Sequence, residues 1–270
     1  MADLLPRLLS AIVLMAAALG SLWLGAAVFD LIWACAAVAV GYEWQRLIAA
    51  KRPLWRILLA VLGLLAGALF LAEAAFMSSF MTFGLSGAAV ALLAGSGRRI
   101  WAFCGIAYAA ALVISLGALH RAEDYGQRAI VWLFAIVWGT DGFAYFGGRL
   151  IGGPKLWPRI SPSKTWSGTL CGVFAGALLG SAIGGHGLGL RTQAPLFALG
   201  LAAAAVSQAG DILESWVKRR FGAKDSSRLI PGHGGFMDRL DGFIAAAAFA
   251  ALAGAARGRP TIAAGLFVWD

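Results

Sequence analysis

Charge is scarce in this chain. Of its 270 residues, 13% are Asp, Glu, Lys or Arg, where soluble domains carry roughly a quarter. Together with a 60% hydrophobic content and a mean hydropathy of +0.80, that shortage excludes one soluble core. It defines an integral membrane protein with many spans. Cysteine is equally sparse. Cys35, Cys104 and Cys171 each stand alone in an apolar run, which excludes metal-ligand spacing and makes them small packing residues. No repeat of fixed period is visible, which argues against a transporter built from inverted halves. No separate soluble domain is visible either. The net charge of +9 would suit nucleic acid in a soluble protein. In a membrane chain it reflects basic cytoplasmic loops facing anionic headgroups, so no nucleic-acid partner is expected.

A helix needs about 20 apolar residues to cross a hydrocarbon layer of roughly 30 Å. Apolar segments near 8–24, 26–44, 55–74, 76–95, 100–119, 129–149, 167–185, 194–216 and 239–256 predict about nine spans. The fold expected is an all-α polytopic bundle. Residues 1–125 supply N-terminal helices and 126–270 the helices that carry the polar motifs, in one membrane-embedded unit. Arg7 ahead of an apolar run resembles a signal peptide, but further spans follow at once, so it reads as an uncleaved first helix. With the N-terminus inside, 17 of the 22 Lys and Arg fall on cytoplasmic segments; only Arg121, Arg128, Arg191, Arg257 and Arg259 fall outside. That asymmetry supports a cytoplasmic N-terminus. It also puts the loops near 150–166 and 217–238 on one face. Small residues four apart, such as Gly172, Gly176 and Gly180, serve close helix packing.

Against this background one stretch stands out. Ser215–Asp241 reads SWVKRRFGAKDSSRLIPGHGGFMDRLD, with Lys218, Arg219, Arg220, Lys224, Arg228, Arg239, His233 and three aspartates around a Pro-Gly-His-Gly-Gly turn. Acids within spans cost about 2.5–3.5 kcal/mol each at mid-helix, so each needs a reason. Asp141 lies inside a span, sharing a helix face with Tyr145 and Gly148, with Arg149 two turns on. Asp211 and Glu214 are three apart, with Ser215 four from Asp211, and Asp238 and Asp241 repeat the three-residue spacing. Three helices thus carry acids toward one leaflet. Internal ion pairing, Asp141 with Arg149 or Asp238 with Arg239, is the bland alternative. Carboxylate oxygens suit hard divalent cations, and Mg²⁺ commonly takes one or two carboxylates plus substrate phosphates. The loop GGPKLWPRISPSKTWSG offers Lys155, Arg159, Ser163, Lys164 and Thr165 among three prolines. Its Ser-Lys-Thr triplet precedes a span, where a helix N-terminus favours phosphate. His233 reads as an acid, a phosphate donor or a turn residue; His120 and His186 look incidental.

These residues resemble the phosphatidate cytidylyltransferases, or CDP-diacylglycerol synthases. Ser215, Lys218, Arg219, Lys224, Asp225, Pro231, Gly232, His233, Gly234, Gly235, Asp238, Arg239 and Asp241 meet that family's long C-terminal pattern. Gln208-Ala-Gly-Asp211-Ile-Leu-Glu214-Ser215, Asp141 to Arg149, and Ser161-Pro-Ser-Lys164-Thr165 resemble further family segments, so the likeness covers roughly 138–243. One departure is Ser167, where the family often has Glu. The resemblance implies transfer of a cytidylyl group from CTP to phosphatidate, with Mg²⁺, by a homodimer in the inner membrane whose site faces the cytoplasm. It implies Asp211, Asp238, Asp241 and Asp141 as metal ligands. Asp211, Asp238, Lys218, Arg219, Lys224 and His233 would act at the reacting groups. Ser163, Lys164, Thr165, Ser215, Arg239 and Arg149 would bind substrate. Rival readings are a CTP-dependent polyprenol or dolichol kinase and a cation-coupled transporter.

Overall fold

The computed structural model describes residues 4–269. Its helices are α1 (Leu4–Gly20), α2 (Ala26–Leu47), α3 (Pro53–Ala72), α4 (Phe76–Ala94), α5 (Arg99–His120), α6 (Gly126–Leu150), α7 (Trp166–Gly184), α8 (Leu190–Arg220), α9 (Met237–Ala256) and the short α10 (Ala264–Phe267). Eight described helices, α2 to α9, are long and apolar enough to cross a membrane. The expected all-α polytopic bundle is therefore the architecture observed. The ninth expected span corresponds to α1, whose 17 residues reach about 26 Å at 1.5 Å per residue, slightly short of a hydrocarbon core. Helix α8 runs to 31 residues, longer than its apolar core predicts, because Lys218, Arg219 and Arg220 extend its last turn, where cations complement the helix dipole.

The segment between α6 and α7 is not simply a loop. Lys155–Trp157 (β1) and Ser161–Thr165 (β2) form an antiparallel hairpin in the register Lys155↔Thr165 and Trp157↔Ser161. Two strands have only edges, so Pro162 removes no interior ladder bond there. Gly152 and Gly153, at φ 69° and 100°, make the left-handed turn that leads from α6 into the hairpin at no steric cost.

Backbone contacts group Met1–Gly117 with Lys218–Leu240 as one compact unit, and Ala118–Val217 with Asp241–Asp270 as the other. The chain passes between them within α5, α8 and α9.

In the first unit, small residues let helices close on large ones. A Cβ at Gly105 would lie 2.6 Å from Trp44 Cγ, and the Trp44 indole N–H donates to the Trp101 carbonyl at 2.7 Å. Arg56 is wholly buried and donates to the Gln45 carbonyl at 2.5 Å. Gln45 in turn donates to the Ala102 carbonyl at 2.8 Å. In lipid such bonds and close contacts, rather than exclusion of water, hold helices together.

In the second unit α6 and α7 cross through the predicted glycine stripe. A side chain at Gly172 would strike the Thr140 carbonyl at 2.5 Å, and one at Gly176 the Ile136 carbonyl at 2.8 Å. The tail returns as α10, whose buried Phe267 packs on Tyr125 and Trp132 with ring centroids 5.6 and 6.3 Å away.

Candidate functional site

In the second unit the acids come together from three helices. Asp141 on α6 is exposed, Asp211 on α8 keeps 31% of its side chain accessible, and Glu214, one turn on, is buried. Asp241, in the first turns of α9, lies within electrostatic reach of Asp211, Glu214 and Asp141. Close helix approach brings this about: a Cβ at Gly210 would stand 2.8 Å from the Asp241 carbonyl oxygen and 2.6 Å from the Ala245 Cβ, and one at Gly242 would meet Ser207. Any residue larger than glycine at 210 would push α8 from α9 and separate the acids.

The hairpin supplies the complementary charge. Lys164 Nζ sits 2.6 Å from Asp211 Oδ2 and donates to Gln208 Oε1 at 2.8 Å. The Gln208 amide nitrogen reaches Asp141 Oδ1 at 3.4 Å, a long contact. Asp141, Gln208, Lys164 and Asp211 thus form one polar chain across α6, α8 and β2. Thr165 is the N-cap of α7, its Oγ1 accepting from the Gly168 N–H at 3.1 Å. The expected helix start behind the Ser-Lys-Thr triplet is there. Ser163 is exposed, and its carbonyl accepts from Lys155 at 3.5 Å. Ser167, the departure from the family pattern, donates to the Gly152 carbonyl and lies 3.1 Å from Thr165 Oγ1. It closes the turn after α6.

In the first unit the motif loop after α8 is folded back on itself. Pro231–Gly234 makes a tight turn, with the Ile230 N–H donating to the Gly234 carbonyl at 2.8 Å and the His233 N–H to the Ile230 carbonyl at 3.0 Å. Gly232 and Gly234 sit at φ 74° and 81°, which other residues adopt only with strain. His233 Nδ1 lies 2.7 Å from Ser10 Oγ of α1, and its carbonyl accepts from Arg239 Nε at 3.1 Å. Arg219 donates to the Ala223 carbonyl at 2.8 Å. Phe221 anchors the start of the loop, edge-on to Trp101 at 5.2 Å and under the Arg98 guanidinium at 4.7 Å. Lys224 and Arg228 are exposed.

Asp238 is the knot of this loop. It pairs with Lys218 at 2.6 Å, the two side chains only 7% and 10% accessible. Its oxygens also accept from the Ser226 N–H at 3.0 Å, Ser226 Oγ at 2.9 Å and the Gly235 N–H at 2.8 Å. Beside it lies Glu43 of α2, wholly buried, which also accepts from loop donors. Sequence reasoning passed over Glu43; the one available signal was an acid inside an apolar span. A cleft of about 400 Å³ opens there, lined by Tyr42, Glu43, Arg46 and Asp225–Leu229 among others.

Asp141, Asp211 and Asp241 belong to one unit, and Asp238 belongs to the other, engaged by loop donors. Arg149 donates to the Tyr145 hydroxyl at 3.0 Å, and Arg239 to the His233 carbonyl at 3.1 Å. Among the described residues no three His, Cys, Asp or Glu side chains gather closely enough to hold a metal by themselves. Oxygen donors from phosphate would have to complete the shell, as Mg²⁺ commonly requires.

Membrane-spanning helices with an acid cluster, a lysine-bearing hairpin and a cationic loop define a class: polytopic membrane enzymes that handle phosphate groups. Comparison with known proteins specifies it further. The cytidylyltransferase family model matches residues 5–256, so the chain belongs to that family. It is similar to a protein of Brucella abortus named phosphatidate cytidylyltransferase, with 42% identity over 281 residues and 99% of each chain covered. A Haemophilus influenzae protein of the same name is 32% identical over 275 residues, covering 90% of this chain and 96% of that one.

Proposed function

We propose that this chain transfers the cytidylyl group of CTP to phosphatidate, giving CDP-diacylglycerol and pyrophosphate, at the cytoplasmic face of the inner membrane. The observation that carries this reading is the cluster in the second unit, where Lys164 pairs with Asp211, Gln208 links Lys164 to Asp141, and Asp241 lies within electrostatic reach of both acids. The names of the full-length relatives supply the substrates. The 17-of-22 placement of Lys and Arg supports the sidedness, and the family resemblance supports a homodimer.

A phosphate monoester dianion is already a nucleophile. One of its oxygens bonds to the α-phosphorus of CTP while the bond from that phosphorus to the bridging oxygen breaks, and pyrophosphate leaves with the electron pair. No strong base is needed. The difficulty is bringing two polyanions together, which positioning and fixed charge lower. Lys164, held by Asp211 and Gln208, keeps its ammonium group at the acid cluster, ready for phosphate oxygens. Arg149, Ser163, Thr165 and Ser215 are candidate phosphate donors in that unit, and in the first unit Lys218, Arg219, Lys224, Arg239 and His233 are candidate phosphate-binding groups of their own loop. Asp141, Asp211 and Asp241 are the residues that would hold Mg²⁺, which would supply neutralisation of phosphate charge there. The donor set fits a hard cation, because crowded carboxylates with one lysine between them favour added positive charge.

The test is CTP carrying distinct labels at its α and γ phosphates, incubated with purified protein, phosphatidate and Mg²⁺. Lipid labelled from the α-phosphate, lost when Mg²⁺ is chelated, is the expected result. Lipid labelled from the γ-phosphate would make the protein a kinase.

A further inference from the structure

We propose that Glu43 is a positioning residue for the cationic loop, setting Lys218–Arg239 in its working shape from a helix that carries none of the recognised motifs. This rests on the reading of that loop as phosphate-binding, and deepens it. The geometry is a four-donor clamp. Oε1 accepts from Ser227 Oγ at 2.6 Å and the Phe236 N–H at 2.9 Å. Oε2 accepts from the Met237 N–H at 2.7 Å and lies 3.0 Å from Ser226 Oγ, whose single proton it shares with Asp238 Oδ2.

These donors come from both ends of the turn that contains PGHGG. Ser226 and Ser227 lie before it, and Phe236 and Met237 at the start of α9 follow it. One carboxylate therefore closes the loop at its base and satisfies two free amides at a helix N-terminus, where negative charge is favoured. Gly235 records the same demand independently. A Cβ there would stand 2.5 and 2.6 Å from the two Glu43 oxygens, so only glycine lets the carboxylate reach both strands of the loop. Ser226 is also bonded to Asp238, which holds Lys218. A shift at Glu43 is thereby passed to a loop cation through one shared serine.

With donors facing both oxygens, the carboxylate leaves no place for an N–H group. Glu43→Gln keeps size and removes half the acceptor capacity, whereas Glu43→Asp keeps the acceptors on a shorter stem. The experiment uses the full-length protein in lipid nanodiscs and reads amide exchange by mass spectrometry beside steady-state kinetics with CTP. In Glu43→Gln we expect at least tenfold faster exchange in peptides covering 226–237, with peptides from α6 and α7 unchanged. The KM for CTP rises at least tenfold, and Glu43→Asp recovers part of both effects. Ser227→Ala placed on Glu43→Gln adds little to either.

Wild-type exchange over 226–237 in Glu43→Gln would overturn the proposal. So would faster exchange with an unchanged KM, since Glu43 would then only stabilise the fold. If the wild-type protein makes no CDP-diacylglycerol, CTP affinity measured by equilibrium binding replaces KM. The clamp then stands or falls separately from the reaction.

Discussion

Among the described residues, two lysine–carboxylate pairs have the same length, and their surroundings set them apart. Lys164–Asp211 and Lys218–Asp238 both measure 2.6 Å. Asp211 keeps 31% of its side chain accessible and stands among Asp141, Glu214 and Asp241. Asp238 keeps 7% and is bonded by Ser226 and Gly235 as well as lysine. A carboxylate with open lone pairs near other acids is suited to a cation and its phosphate ligands. One whose oxygens already receive a lysine, a hydroxyl and two amides is suited to holding a loop. Equal ion-pair distances thus conceal one pair open to further ligands and one closed in by loop donors.

The sharpest way to break this comparison is Asp211→Asn. It should lower kcat by at least a hundredfold, the usual cost of removing one preorganised charge at a reacting centre, with unfolding in detergent unchanged. Near-wild-type turnover would remove Asp211 from the site. Asp238→Ala should act the other way round. Removing one partner of a buried pair costs about 3–5 kcal/mol, so denaturant unfolding of this variant should shift markedly, with activity falling because the loop loosens. A variant as stable as wild type would place Asp238 with the reactive acids.

Lys164→Met should raise the KM for CTP or phosphatidate about tenfold, with Lys164→Arg intermediate. Equal values for all three would show that the lysine only shields Asp211. At the small end, Thr165→Ala removes the N-cap of α7, worth about 1 kcal/mol. Ser167→Ala removes one neutral hydrogen bond, worth roughly 0.5–1.5 kcal/mol. Both should alter thermal stability more than turnover; a large kinetic effect at Ser167 would give it a part in binding.

Much of this was legible in the sequence because it is written locally. Twenty-residue apolar runs predict spans, four-residue glycine spacing predicts close helix packing, and Asp211 and Glu214, three apart on one helix, predict a shared face. The different fates of Asp211 and Asp238 were not legible. Both are aspartates with a second acid three residues on, and only burial and the count of donors separate them. Glu43 escaped for a related reason: its partners lie 183 to 194 residues away in the chain, and no local pattern marks it. The hairpin escaped because KLW and SPSKT are too short, and too rich in proline around them, to carry a period-two pattern.

The most direct measurement is Mn²⁺ binding, as a spectroscopic stand-in for Mg²⁺, followed by electron paramagnetic resonance in the presence of CTP. Wild type and Asp238→Asn should bind the ion comparably, while Asp211→Asn should lose it. Retention in Asp211→Asn with loss in Asp238→Asn would reverse the roles given to the two pairs.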